Sequence, residues 1–306
     1  MPPARVRVSG VEESGRANVS PHALGLPSRL NLFIFLILAN FAAACGIENR
    51  IIFQPNTFLE RTPHALGLEF EDIYFTARDG VRLNGWFIPF PASTSTLVWF
   101  HGNAGNMGDR LENIKLLHNY VNVNIFIFDY RGYGRSEGRP SEEGVYLDGE
   151  AALDLVKNKT RNAGARKTIL FGRSLGAAVA TEIATRFESD GLILESPFIS
   201  VAEMARVVFP FLPIRPLLRT RFDTREKIEK IKVPLLVLQG DRDDVVPYEH
   251  GKRVFEAAPE PKKFFTIPGA AHNDTYIVGG KRYFQQLKEF IDDCSGQPAQ
   301  PRIREP

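Results

Sequence analysis

Residues 168–180 read Thr168-Ile169-Leu170-Phe171-Gly172-Arg173-Ser174-Leu175-Gly176-Ala177-Ala178-Val179-Ala180. An apolar run is followed by G-x-S-x-G and then by an alanine-rich stretch. That order predicts a buried strand, a sharp turn and a helix. The glycines flank the serine because a side chain at either place would collide with the neighbouring strand or helix. The turn pushes the Ser174 hydroxyl clear of the sheet. The N–H of the next residue, Leu175, points at the space where an oxyanion would form. The pentapeptide alone is a modest signal; the strand before it and the helix after it make Ser174 a candidate nucleophile.

The same alternation extends in both directions. Strand-like runs recur at about 97–100, 123–128, 191–194, 233–238 and 263–267, and helical stretches at about 108–120, 142–158, 175–187, 248–257 and 275–293 lie between them. Asp79-Gly80, between the alternating runs 70–75 and 81–87, is a hairpin signal that adds an antiparallel lead-in. Such a chain specifies an α/β fold, a mostly parallel twisted sheet with helices on both faces. The site is expected at the carboxyl ends of the strands. One segment breaks the alternation. Residues 196–222 contain Val207-Val208-Phe209-Pro210-Phe211-Leu212-Pro213-Ile214, too proline-rich for a long helix, and form a short cap insertion. Its Phe209, Phe211 and Leu212 are candidate substrate-binding residues that wall an acyl pocket or meet a membrane; the alternative is a segment packed on the core.

A serine hydroxyl needs a base to take its proton, an acid to orient that base, and donors for the negative oxygen. In chains with this turn the order is Ser, Asp or Glu, then His. Downstream of Ser174, the run Val233-Pro234-Leu235-Leu236-Val237-Leu238 leads into Gln239-Gly240-Asp241-Arg242-Asp243-Asp244-Val245-Val246-Pro247. Asp243, midway along this loop, is the chosen acid, with Glu195 at the end of an earlier apolar run as the alternative. Of the six histidines, only His272 follows both the acidic loop and another strand-like segment. The second oxyanion donor belongs in the loop His101-Gly102-Asn103-Ala104-Gly105-Asn106, with the Asn103 N–H as donor and His101 as a structural residue beneath it. The lysine-serine or lysine-threonine signature of a phosphate loop is absent there. Arg131 and the glycines of 129–138 read as loop-shaping.

Taken in order, these motifs resemble the α/β-hydrolase superfamily, and more narrowly its small, N-terminally membrane-anchored members. The resemblance rests on His101–Asn106, the run Asp129-Tyr130-Arg131-Gly132-Tyr133-Gly134-Arg135-Ser136, Gly172–Gly176, Gly240–Asp243 with Val246-Pro247, and Ala271-His272-Asn273-Asp274. It covers about residues 51–293 and implies a Ser174–His272–Asp243 triad with oxyanion donors at Asn103 and Leu175. Members act variously as esterases, acyl-protein thioesterases, lipid hydrolases and peptidase-like enzymes. The expected function is therefore a serine hydrolase acting on an acyl ester or thioester, of a lipid or an acylated protein. A serine aminopeptidase-like peptidase and an inactive scaffold are the alternatives. This chemistry requires no metal and no organic cofactor.

The 306 residues carry a formal net charge of +2, with basic residues scattered and no aromatic-interleaved patch, which speaks against nucleic acid as a partner. Residues 1–29 form a polar extension with Arg5, Arg7, Arg16 and Arg29. Residues 30–47 are almost uncharged and apolar, at the lower limit for crossing a bilayer. They read as an uncleaved signal anchor with the catalytic domain on the exported side, as a cleaved export signal with Cys45 lipidated, or as a buried helix. The expected localisation is membrane-associated. Residues 294–306 read as a disordered tail. The cysteines, Cys45 and Cys294, are not expected to pair.

Overall fold

A computed structural model describes residues 48–91, 93–161, 167–211 and 218–294. The polar extension, the apolar stretch 30–47 with Cys45, Leu212 of the cap and all of the tail after Cys294 lie outside these residues.

Eight strands form one sheet: β1 Glu71–Thr76, β2 Arg82–Ile88, β3 Ser95–Phe100, β4 Asn124–Asp129, β5 Lys167–Arg173, β6 Gly191–Glu195, β7 Leu235–Gly240 and β8 Lys262–Ile267. Their order across the sheet is β8-β7-β6-β5-β3-β4-β2-β1. β1 and β2 are antiparallel, as is the β2–β4 pair, and the other neighbours are parallel. The Asp79-Gly80 turn joins β1 to β2, with Gly80 at φ +88° and Ala77 N–H bonded to the carbonyl of Val81 at 2.9 Å. The helices are α1 Leu111–Val121, α2 Glu142–Arg161, α3 Leu175–Arg186, α4 Val201–Val208, α5 Thr224–Ile228, α6 Tyr248–Ala257 and α7 Thr275–Cys294.

Alternation within the strands divides the core in two. Val98, Phe100, Phe126, Phe128, Leu170, Leu192, Leu194, Leu235 and Val237 face one layer, with α2, α3, α5 and α6. Leu97, Trp99, Ile125, Ile127, Ile169, Phe171, Ile193, Leu236 and Leu238 face the other, with α1 and α7. The strands are apolar on both sides because helices cover both.

Three details differ from the pattern read in the sequence. β7 begins only after Pro234 and runs to Gly240, so Gln239 is a buried strand residue. α7 is interrupted at Gly280 (φ 51°, ψ −143°), a conformation that costs glycine nothing and other residues much. The cap is narrower than 196–222. Phe198, Ile199 and Phe222 belong to the core, whereas α4 buries none of its residues. Apolar composition looks the same in both settings, which is why the boundary was invisible.

Candidate active site

Ser174 occupies the single residue between β5 and α3, at φ 53° and ψ −116°. A non-glycine residue there carries strain of about 1–3 kcal/mol, tolerated only where the surroundings over-determine it. The surroundings do so. A Cβ on Gly172 would overlap the carbonyl oxygen of Gly176, and one on Gly176 would overlap the carbonyl of Phe100. Strand, turn and helix therefore touch backbone to backbone. Small side chains on α3, Ala177, Ala178 and Ala180, let the helix lie close to the sheet. Beyond the strand's end the Ser174 N–H still donates to the carbonyl of Glu195 on β6, at 2.9 Å.

The loop after β8 brings His272 over this turn. Its Nε2 lies 3.2 Å from Ser174 Oγ, and its Nδ1 lies 3.0 and 2.9 Å from the two carboxylate oxygens of Asp243. The three residues thus come together in the order Ser–His–Asp, from the ends of β5, β8 and β7. Because a carboxylate only accepts, Nδ1 carries the hydrogen and leaves Nε2 able to accept from the serine. The Asp243 side chain is fully buried. It accepts from the N–H groups of Val245 and Val246 at 3.0 and 2.8 Å, and from Gln239 Nε2 at 3.0 Å. Burial pushes its carboxyl up, but the hydrogen bond from His272 and the Val246 N–H hold it below its ordinary value.

The other aspartates of the loop have different duties. Asp241 accepts the N–H of Gly269 at 2.6 Å, and Asp244 accepts the N–H of His272 at 3.2 Å. Both brace the histidine loop. Glu195, the alternative acid, does not reach the imidazole. It is fully buried and accepts from Arg173 Nε at 3.1 Å, Thr275 Oγ1 at 2.5 Å and Tyr283 Oη at 2.6 Å.

The loop after β3 passes beside the serine; a Cβ on Gly102 would stand 3.7 Å from Ser174 Cβ. The segment before β1 holds this loop in place. Residues 54–55 pair in parallel with 104–105, Gln54 N–H donates to the Asn103 carbonyl at 3.2 Å, and Asn103 Nδ2 donates to the Ile52 carbonyl at 2.9 Å. Tyr133 Oη also donates to the Asn103 carbonyl, at 2.7 Å. Leu175 is the first residue of α3, so its N–H has no intrahelical acceptor. His101 lies beneath, fully buried, with Nδ1 2.7 Å from the Gly102 carbonyl oxygen and Nε2 3.4 Å from Asp129 Oδ1. It plays the structural part expected of it. Arg131 is likewise structural: Nε and Nη2 donate to Asp148 at 2.9 and 2.8 Å, and Nη1 to Asp79 at 2.7 Å.

The candidate substrate residues sit apart from this packed floor. Phe211 is 94% exposed and Phe209 39% exposed, so neither is enclosed in a formed pocket, and Leu212 lies outside the described residues. Sequence reading missed Gln239, which braces the acid, and the partnership of Arg173 with the histidine loop. The first had one visible signal, a lone amide ending an otherwise apolar strand.

This strand order, with a serine alone at the turn between β5 and α3, is that of an α/β hydrolase. The family model described as "Serine aminopeptidase, S33" matches residues 91–218 and 213–275, more than half of the chain. The chain belongs to that family. It is 34% identical to the α/β hydrolase domain-containing protein WAV2 of Arabidopsis thaliana, over 84% of this chain and 91% of that one. It is 35% identical to an uncharacterised membrane protein of Saccharomyces cerevisiae, over 75% of this chain and 82% of that one. Among solved structures, an esterase of Pyrococcus furiosus superposes with a TM-score of 0.67 at 22% identity, covering 79% of this chain and 98% of the other, which establishes the shared fold. Among the described residues no helix is long and apolar enough to cross a membrane.

Proposed function

We propose that the protein is a serine hydrolase that cleaves carboxylic esters or thioesters through an acyl-enzyme. The observation that carries this reading is the contact of His272 Nε2 with Ser174 Oγ at 3.2 Å, with Asp243 behind the ring. Ser174 Oγ attacks the acyl carbon as His272 Nε2 takes its proton. The N–H groups of Asn103 and Leu175 hold the negative oxygen. The tetrahedral intermediate collapses, the C–O or C–S bond breaks, and the imidazolium returns its proton to the leaving alcohol or thiol. Water then repeats the sequence on the acyl-serine, releasing the acid and restoring the hydroxyl. Asp243 keeps the ring in the productive tautomer and stabilises its charge.

A second reading, an aminopeptidase, comes from the family's name. Such an enzyme needs a carboxylate for the substrate's ammonium group. Glu195 is buried and ion-paired with Arg173, whereas Asp241 and Asp244 each accept one backbone N–H and keep acceptor capacity, so turnover decides between the two readings. Labelling with a fluorophosphonate, followed by p-nitrophenyl esters and amino-acyl amides, separates the possibilities. Ester turnover above amide turnover is expected. Amide preference would establish the peptidase, and no labelling would favour a scaffold on the same fold.

The substrate is proposed to be an acyl lipid or acylated protein met at a membrane, with residues 30–47 as the anchor and the cap residues Phe209, Phe211 and Leu212 against the acyl chain. The apolar composition of 30–47 and the name of the yeast relative support this. Fractionation of the full chain and of a chain lacking residues 1–47 tests it: only the former is expected with membranes, and a wholly soluble full-length protein would overturn it.

A further inference from the structure

Arg173 is the first of the two unspecified residues of G-x-S-x-G, the second being Leu175. The Arg173 side chain is buried, with the residue only 7% exposed. It reaches the histidine loop and Glu195. Nε donates to Glu195 Oε1 at 3.1 Å. Nη2 donates to the backbone carbonyl of His272 itself, and to Asn273 Oδ1 at 3.1 Å. Glu195 in turn takes the hydroxyls of Thr275 and Tyr283, which lie on either side of the break in α7 at Gly280. Burial and the neighbouring Glu195 charge push the Tyr283 phenol well above its ordinary value, so it stays a hydrogen donor.

We propose that Arg173 is a positioning residue that sets the Ser174–His272 distance, by bonding the His272 carbonyl while ion-paired to Glu195. The inference rests on Ser174 and His272 being the reacting pair. Both members of that pair hang from the same two residues. Ser174 follows Arg173 in the chain, and its N–H is bonded to the Glu195 carbonyl. Arg173 and Glu195 are register partners on adjacent strands, so their separation is fixed by the sheet. His272 reaches the sheet through the guanidinium. A buried ion pair is weak evidence for stability, because apolar residues of similar volume often serve as well or better. What apolar residues lack is directed donors aimed at the carbonyl of the base. Lysine lacks them too: a single ammonium has no planar fork to span Glu195, His272 and Asn273 together. The Nε2–Oγ contact, at 3.2 Å, already sits at the long end of the hydrogen-bond range. Further retreat of the loop would break it, and a misplacement of about 1 Å is worth roughly 100-fold in rate.

The test uses the full chain with two variants, Arg173→Lys and the double variant Arg173→Gln/Glu195→Gln. The second removes both charges together, so no unpaired ion is left buried if the first fails to fold. Three quantities are measured: the melting temperature, the downfield proton resonance of the His272 ring N–H bonded to Asp243, and the kinetics. The kinetics comprise the second-order rate of fluorophosphonate labelling, with kcat and KM on p-nitrophenyl acetate. In a folded variant the ring resonance should shift or broaden away, labelling should slow about 100-fold, and the loss should fall in kcat with KM nearly unchanged. A folded variant with the wild-type resonance and labelling rate overturns the inference. So does an activity loss that merely follows the folded fraction. If wild type itself fails to label while the resonance is lost in the variants, the positioning role stands and the hydrolase reading falls.

Discussion

The floor of the site and the segment 201–211 are built on opposite terms. On the floor, Ser174, Asp243 and His272 are each held by several partners, and backbones meet where a single Cβ would not fit. On the cap, α4 buries no residue and Phe211 stands almost wholly in solvent. Under the proposed reaction the floor has to hold one geometry to within a fraction of an ångström, whereas the cap need only offer apolar surface. Precision and adaptability are thus assigned to different parts of the chain, and substitutions should behave accordingly.

The largest effect is expected at the floor's centre. Ser174→Ala should abolish fluorophosphonate labelling and lower kcat by about a million-fold, because a triad acts as a unit. Substantial labelling of that variant would move the nucleophile elsewhere. Next, Asp243→Asn should cost about 10⁴-fold in kcat through the wrong tautomer of His272. Asp241→Asn and Asp244→Asn, which lose only loop bracing, should cost under about tenfold. Equal losses at all three would erase the distinction drawn among them. Third, Gly176→Ala should lower stability by about 3 kcal/mol or prevent folding, since its methyl would enter the carbonyl of Phe100. Thermal melting reads this directly, and a wild-type melting temperature would mean that the elbow has slack.

The smallest effect belongs to the cap. Phe209→Ala/Phe211→Ala should lower the melting temperature only slightly, because Phe211 stands almost wholly in solvent and Phe209 is only partly covered. It should lower kcat/KM on long acyl esters several-fold more than on acetyl esters, each buried methylene being worth about 0.8 kcal/mol. Uniform losses along the ester series with a lower melting temperature would make the cap part of the core and collapse the comparison.

The meeting of three floor residues was legible in the sequence for a specific reason. Ser174, Asp243 and His272 each sit just past a strand, and chain order plus local glycine and proline signals suffice to find such places. Gln239 and the Arg173–Glu195 pair were not legible as machinery. Their roles depend on register between strands, and on a loop about a hundred residues downstream that returns to the same spot. The cap's limits were obscured because Phe198 and Phe222 look no different from Phe209 and Phe211 until packing sorts them. The break at Gly280 had a sign, the Gly279-Gly280 pair, but the apolar spacing on both sides is helical and hid it.

The Ser174 N–H, bonded to the Glu195 carbonyl just past the end of β5 and between the two interior strands β5 and β6, has a consequence for how the molecule opens. Amides in the centre of a sheet exchange with solvent only when the whole domain unfolds, whereas those on unpacked helices exchange through local fluctuations. Amide exchange should therefore find the Ser174 N–H among the slowest of the described residues and those of α4 among the fastest. On warming, α4 should loosen first, and the Ser174–His272 contact should persist until the domain itself comes apart.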